Sequence, residues 1–358
     1  MNKILVIIIV LVILSAGIFG YLQITKKPEA PEKKLSTVLN VYNWEDYFGE
    51  TTLEDFEKEF GVDVNLEIYE DEEMMLSAVQ SDPTKYDIII ASDDLVWSMT
   101  EMKLLAEIDY ENIPNFKNIG DKHKNPSYDP GNKRSVPYTL WTTAIAVNRK
   151  YIEETEDSWS ILWNPKYKGK ISMLNNSYEV IGAALKYLGY PLCSTDPAQL
   201  EEAKQLLLEQ KPLLRGGYED CITIREDLIS EELWAAHEYS GEGCYAADEN
   251  ENIEYIIPKE GGSYGVDTLA IPVGSPHKYT AEVFINYLLD PKVNADISNY
   301  LWYASPNEAA REFTNPEILE DPSLYPSEEV LKKCEIFTDI GEADAIYHQI
   351  WAELQRSD

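Results

Sequence analysis

Rings and carboxylates gather at the carboxyl ends of predicted strands. Trp44, Asp46 and Tyr47 follow a strand that starts at Val38, and Ser92, Asp93 and Asp94 follow the apolar run 86–91. Glu179 opens a predicted helix behind a strand ending at Leu174, Tyr239 and Glu242 follow another predicted helix, and Asp267 opens the run 267–272. In open α/β sheets, ligands bind beyond the carboxyl ends of the strands. Rings supply apolar faces and cation–π attraction. Carboxylates pair cations whose burial alone would be prohibitively costly. The two chemistries together suit a flexible alkyl chain carrying ammonium groups. Each residue taken singly is weak evidence, because a lone Trp after a strand ordinarily packs and a lone Asp ordinarily caps a turn.

Catalytic patterns do not survive the same scrutiny. Gly261 to Gly265 matches G-x-S-x-G around Ser263, but that elbow needs a strand entering and a helix leaving, and here a second strand follows. His123, His237, His277 and His348 are scattered without a metal-binding spacing. Residues 248–252 begin like a calcium loop, yet Ile253 stands where glycine is required and Lys259 where a bidentate Glu is required. No glycine-rich phosphate loop occurs. No enzyme, metal site or cofactor is expected, and a hydrolase built on Ser263 is the least favoured alternative.

The elements that would position these residues alternate between two periods. Strands are predicted at 38–44, 62–69, 86–91, 169–174, 253–257 and 267–272. Helices are predicted at 51–60, 72–81, 177–188, 199–210, 226–237, 279–289, 292–300 and 344–355. The stripe Leu53, Phe56, Phe60 marks the first helix, with Thr51 or Thr52 as its N-cap and Gly61 as its stop. Near-continuous apolar strands alternating with helices imply a largely parallel sheet covered on both faces.

A chain of 358 residues is long enough for two such α/β lobes, each with its own core. Its 30 basic against 64 acidic residues give a formal charge of −34, which argues against nucleic acid as a partner. At the N-terminus, an apolar run over residues 4–22 lies between Lys3 and the pair Lys26-Lys27. At about 1.5 Å per residue it covers most of a ~30 Å hydrocarbon core. It reads as an uncleaved membrane anchor, with a cleaved signal as the alternative. Either way the rest of the chain is expected outside the cytoplasm, behind a Pro-, Lys- and Glu-rich tether at 28–37. Cys193, Cys221, Cys244 and Cys334 permit two disulfides there, Cys221 with Cys244 being favoured by their short spacing.

From Leu39 onward the chain resembles the spermidine/putrescine-binding receptors of bacterial ABC-type polyamine importers. The resemblance runs in order through VYNWEDY (41–47), FEKEFGVDV (56–64), YDIIIAS (86–92), VPYTLWTTAIAVN (136–148), SWSILWNPKYKGKISML (158–174), IPKEGGSYGVDTLAIP (257–272), INYLLDP (285–291), SPNEAAR (305–311) and IGEADAIY (340–347). It implies a two-lobed periplasmic-binding-protein type II fold, with hinged α/β lobes and mixed sheets flanked by helices. One lobe would comprise 38–142 with a return at 266–311, the other 143–265 with 312–358. It also implies a polyamine ligand and a membrane permease as partner. A different cationic or amino-bearing solute, or a membrane-tethered sensor module, is the alternative.

Carried over residue by residue, the resemblance gives a binding site of Trp44, Asp46, Tyr47, Ser92, Glu179, Tyr239, Glu242, Asp267 and Tyr303. Asp267 is expected to grip a terminal ammonium and Tyr303 to form a wall. Asp94 stands where spermidine-type members carry a tyrosine, and it joins the acids. Other departures alter the site. Gly265 stands where the family has tryptophan, Asn176 replaces an aspartate, Glu45 a small hydroxyl residue and Phe337 a glutamine. Tyr264 is the neighbouring ring that could replace the missing indole.

Overall fold

The computed structural model describes residues 33–153 and 155–356. The apolar run 4–22 lies outside the described residues. Among those described, no helix is long and apolar enough to cross a membrane.

The described residues from 36 onward form one compact unit. Two blocks of parallel strands are joined by two long antiparallel ones. The first block is β1 (Val38–Asn43) between β2 (Asp63–Ile68) and β3 (Ile88–Ser92), all parallel. The second is β5 (Ile171–Leu174) between β6 (Leu214–Glu219) and β7 (Ala235–Tyr239), again all parallel. Between them run β4 (Ser135–Asn148) and β9 (Ser263–Ala270), antiparallel to each other, with β8 (Ile253–Ile256) paired to β4. The sheet order is therefore β2-β1-β3-β9-β4-β7-β5-β6.

This register fixes where a ligand can sit. β3 ends with Ser92 opposite Asp267 of β9, which in turn faces Thr139 of β4. β7 approaches from the other side and ends with Tyr239 opposite Thr143. The carboxyl ends of both blocks thus converge on residues 139–143, a span of about 13 Å at the usual strand rise. All fourteen residues of β4 are buried, as expected for a strand shared by two lobes.

Apolar packing follows the same division. One cluster, including Tyr42, Tyr69, Met75, Val79, Ile89 and Val96, lies against β1, β3 and β9. Another, including Ile145, Trp159, Ile171, Val180, Tyr347 and Leu200 of helix α5 (Pro197–Gln210), lies against β4 and β5. Helix α1 (Thr52–Phe60) buries Phe56 and stops at Gly61, whose φ of 67° lies in the left-handed region and whose N–H closes on Glu57 O. Helix α2 (Glu72–Ser81) is capped by Asp71, which accepts from Met74 N.

The loop entering β4 is organised by one buried carboxylate. Asp129 accepts from the backbone N–H of Lys133 and Arg134, and from both the N–H and the hydroxyl of Ser135. Asp129→Ala would orphan these donors at a buried site. A loss of about 2–4 kcal/mol is expected, measurable as a lowered midpoint in urea unfolding with unchanged slope.

Several elements differ from the sequence expectation. The helix expected at 226–237 is instead α6 (Cys221–Ile229), capped by Asp220 on Thr223, followed by strand β7. The chain leaves the helix through Glu231 at a φ of 63°, and pairing with β4 and β5 then imposes a strand on Ala235-Ala236-His237. Tyr239 therefore ends a strand, and Glu242 sits in the first turn of α7 (Ser240–Glu249). Strand β6, written LRGGYE, carries no legible apolar period. All four cysteines are free, so the expected Cys221–Cys244 bridge is absent. Cys221 opens α6 and Cys244 lies in α7, so the two thiols sit on separate helices with β7 between them in the chain.

Candidate functional site

Asp267 is the best-tethered carboxylate where the two blocks meet. The Tyr47 hydroxyl and the Thr139 hydroxyl both donate to its Oδ2, the latter at 3.0 Å, and Trp141 Nε1 donates to Oδ1 at 3.0 Å. Tyr47 is brought there by the turn after β1, Thr139 and Trp141 by alternation along β4. Burial raises the Asp267 carboxyl to about 6, a rise that the three hydrogen bonds oppose and nearby Asp94 reinforces. A carboxylate with room for roughly four hydrogen bonds keeps capacity for a ligand N–H.

A second acidic group faces it. Helix α3 (Asp93–Glu101) starts directly after Ser92, so Asp94 lies in its first turn. Glu72, at the start of α2, accepts from Ser92 N–H at 3.0 Å. Burial, then the Asp94 charge, push Glu72 up to about 8, while contacts from Ser92 pull the other way. Burial likewise raises Asp94 and, still more, Asp93. The charges acting on Glu72 and Asp267 are those of other carboxylates. Each charge in such a cluster raises the cost of ionising its neighbours, a cost that either protonation or a nearby cation relieves.

Aromatic rings close the space around these acids. Trp44 and Tyr303 stand edge-on to Tyr47 at centroid distances of 5.3 and 5.6 Å. Tyr303 can take its place only because residue 241 is glycine, since a Cβ there would fall 2.0 Å from its ring. On the other block, Tyr239 stands edge-on to Trp141 at 5.8 Å. Asn176, which caps α4 (Ser177–Leu188), donates to the Tyr239 hydroxyl at 3.4 Å.

The structure thus brings Trp44, Tyr47, Ser92, Asp94, Tyr239, Asp267 and Tyr303 together. The other three sequence candidates are placed less simply. Glu179 is buried in the first turn of α4, where Thr143 and Ser263 donate to it at 3.0 and 2.9 Å. Ser263 is thereby committed to Glu179 rather than exposed as a nucleophile. Glu242 is paired with Arg225 at 2.8 Å, a cation the sequence did not connect to it. Asp46 is solvent-exposed in a left-handed turn, with its charge felt at Glu242.

Three further residues went unnamed in the sequence. Glu72 is one of four consecutive acids, and only the Ser92 contact singles it out. Thr139 and Trp141 are hidden in a long apolar strand. Trp141, not Tyr264, covers Gly265: the two are cross-strand partners, whereas Tyr264 belongs to the opposite face of β9.

Comparison with known proteins agrees with this architecture. A family model described as bacterial extracellular solute-binding protein matches residues 51–326. A spermidine/putrescine-binding periplasmic protein of Salmonella typhimurium is 34% identical over 319 residues, 88% of this chain and 91% of that one. Its counterpart in Escherichia coli is 32% identical, covering 89% and 92%. Among solved structures, a chain from Listeria monocytogenes superposes with a TM-score of 0.85 at 31% identity, covering 90% of this chain and 99% of that one. A spermidine/putrescine ABC transporter substrate-binding protein from Streptococcus pneumoniae gives 0.77 at 31%, covering 89% and 99%.

Proposed function

This chain belongs to the bacterial extracellular solute-binding proteins, and we propose that within that family it captures a polyamine of the putrescine/spermidine class and delivers it to the permease of an ABC importer. The observation that carries this reading is the carboxylate group Glu72, Asp94 and Asp267, crowded together and walled by Trp44, Tyr47 and Tyr303. An ammonium would relieve the mutual repulsion at one end, and the rings would cover the alkyl chain.

We assign residues 38–142 and 266–311 to one lobe, and 143–265 and 312–358 to the other. β4 and β9 pass between them and serve as the hinge. A ligand gripped from both sides populates the closed state only when it is present. The formal charge of −34 draws polycations in, at a rate that falls with salt. Residues 4–22, as a membrane anchor, would keep the receptor near its permease and raise their effective concentration.

Thermal unfolding with putrescine, cadaverine, spermidine and spermine tests this reading. A ligand at 100 times its dissociation constant stabilises by about 2.7 kcal/mol, a shift of several degrees or less that calorimetry resolves. The reading fails if no amine shifts the transition while a neutral or anionic solute does.

A further inference from the structure

Trp141 occupies a position that a purely structural role does not require. It is 8% exposed on β4, at the level where both parallel blocks end. Its partner across the ladder, Gly265, has no side chain, and a Cβ there would fall 2.2 Å from Trp141 Cζ2. The indole therefore lies against the bare backbone of β9. Its N–H points at Asp267 Oδ1, and its ring meets Tyr239 of the other block. One side chain thus links the Asp267 grip to the aromatic wall opposite.

We infer that Trp141, housed by Gly265, is a ligand-contacting and specificity-determining residue of this chain: its indole face covers the alkyl chain of the bound amine while its N–H orients Asp267. The inference rests on the amine-capture reading above and adds a residue to that site. Indole is the strongest of the aromatic faces for a cation. Trp141 belongs to the same lobe as Asp267 in the assignment above, so the indole meets an amine held at that carboxylate, and its edge contact with Tyr239 faces the other lobe. Discrimination among amines by chain length follows, because a chain that extends from Asp267 along the indole toward Tyr239 keeps ring contact over its whole length, whereas a short one covers only the part beside the carboxylate.

The test uses the full chain and measures putrescine and spermidine dissociation constants. Trp141→Leu keeps bulk and removes the face, and is expected to weaken binding about tenfold or more. Gly265→Ala alters no polar group, yet it displaces the indole and should weaken binding several-fold. Trp141→Phe keeps a ring but removes the donor that holds Asp267 down. Its affinity should therefore begin to fall at a higher pH than in the wild type, a displacement that loss of packing alone would not produce. Should Trp141→Leu fail to fold, Trp141→Phe and Gly265→Ala decide the matter. Wild-type affinity in these variants, with an unmoved pH profile, overturns the inference and leaves the amine reading intact. A wild-type chain that binds no amine overturns both.

Discussion

Asp267→Asn should reduce amine affinity by more than about a hundredfold while changing the stability of the empty protein far less. Removing one member of a buried charge pair costs about 3–5 kcal/mol, and each 1.4 kcal/mol is about tenfold in affinity. The amide is nearly isosteric and still accepts on one side from Tyr47 and Thr139, or from Trp141 on the other. It leaves one donor short of a partner but removes a buried charge that burial already disfavours. These effects oppose each other in the empty protein and act together against an ammonium in the loaded one. Calorimetric titration and urea unfolding of the same variant check both halves. Equal losses of stability and affinity would show Asp267 to be structural.

Proton linkage should give the second large effect. Glu72 rises from 4.5 to about 8 and Asp267 from 3.8 to about 6 on folding. Between each pair of values the folded protein holds a proton that the unfolded chain has lost. Stability of the empty protein must therefore fall as pH rises through about 4 to 8. The combined change is on the order of a few kcal/mol. The charge of a bound cation opposes these upward shifts, so capture near neutral pH should expel protons, chiefly from Glu72. Titrations in buffers of different ionisation enthalpy should give heats that vary with the buffer, and Glu72→Gln should flatten that dependence. Buffer-independent heats, together with a pH-independent midpoint for the empty protein, would contradict this.

Much of the architecture is legible in the residues because their local signals agree. Apolar strands such as 88–90 can only be central, and Gly61 stops its helix as its type predicts. Legibility ends where tertiary pairing decides. Ala235-Ala236-His237 has no strong β preference and becomes a strand by filling the gap between β4 and β5. At the site, residues following strands were readable from position alone, as with Trp44, Tyr47 and Ser92. Asp267 and Tyr303 gained their roles from resemblance and their geometry from the sheet register. Glu72 and Trp141 were not readable, because their roles depend on which neighbour a fold places three ångströms away. Arg225 likewise lies far from Glu242 in pattern, although the two helices that carry them make it a partner.

The most direct measurement is an equilibrium titration of the full chain with putrescine and with spermidine, at low salt and about neutral pH, repeated on Asp267→Asn. One saturating site for an amine, lost in the variant and weakened by added salt, is the predicted result. Saturable binding that persists unchanged in Asp267→Asn, or none for any amine, would contradict capture of a cation at this carboxylate.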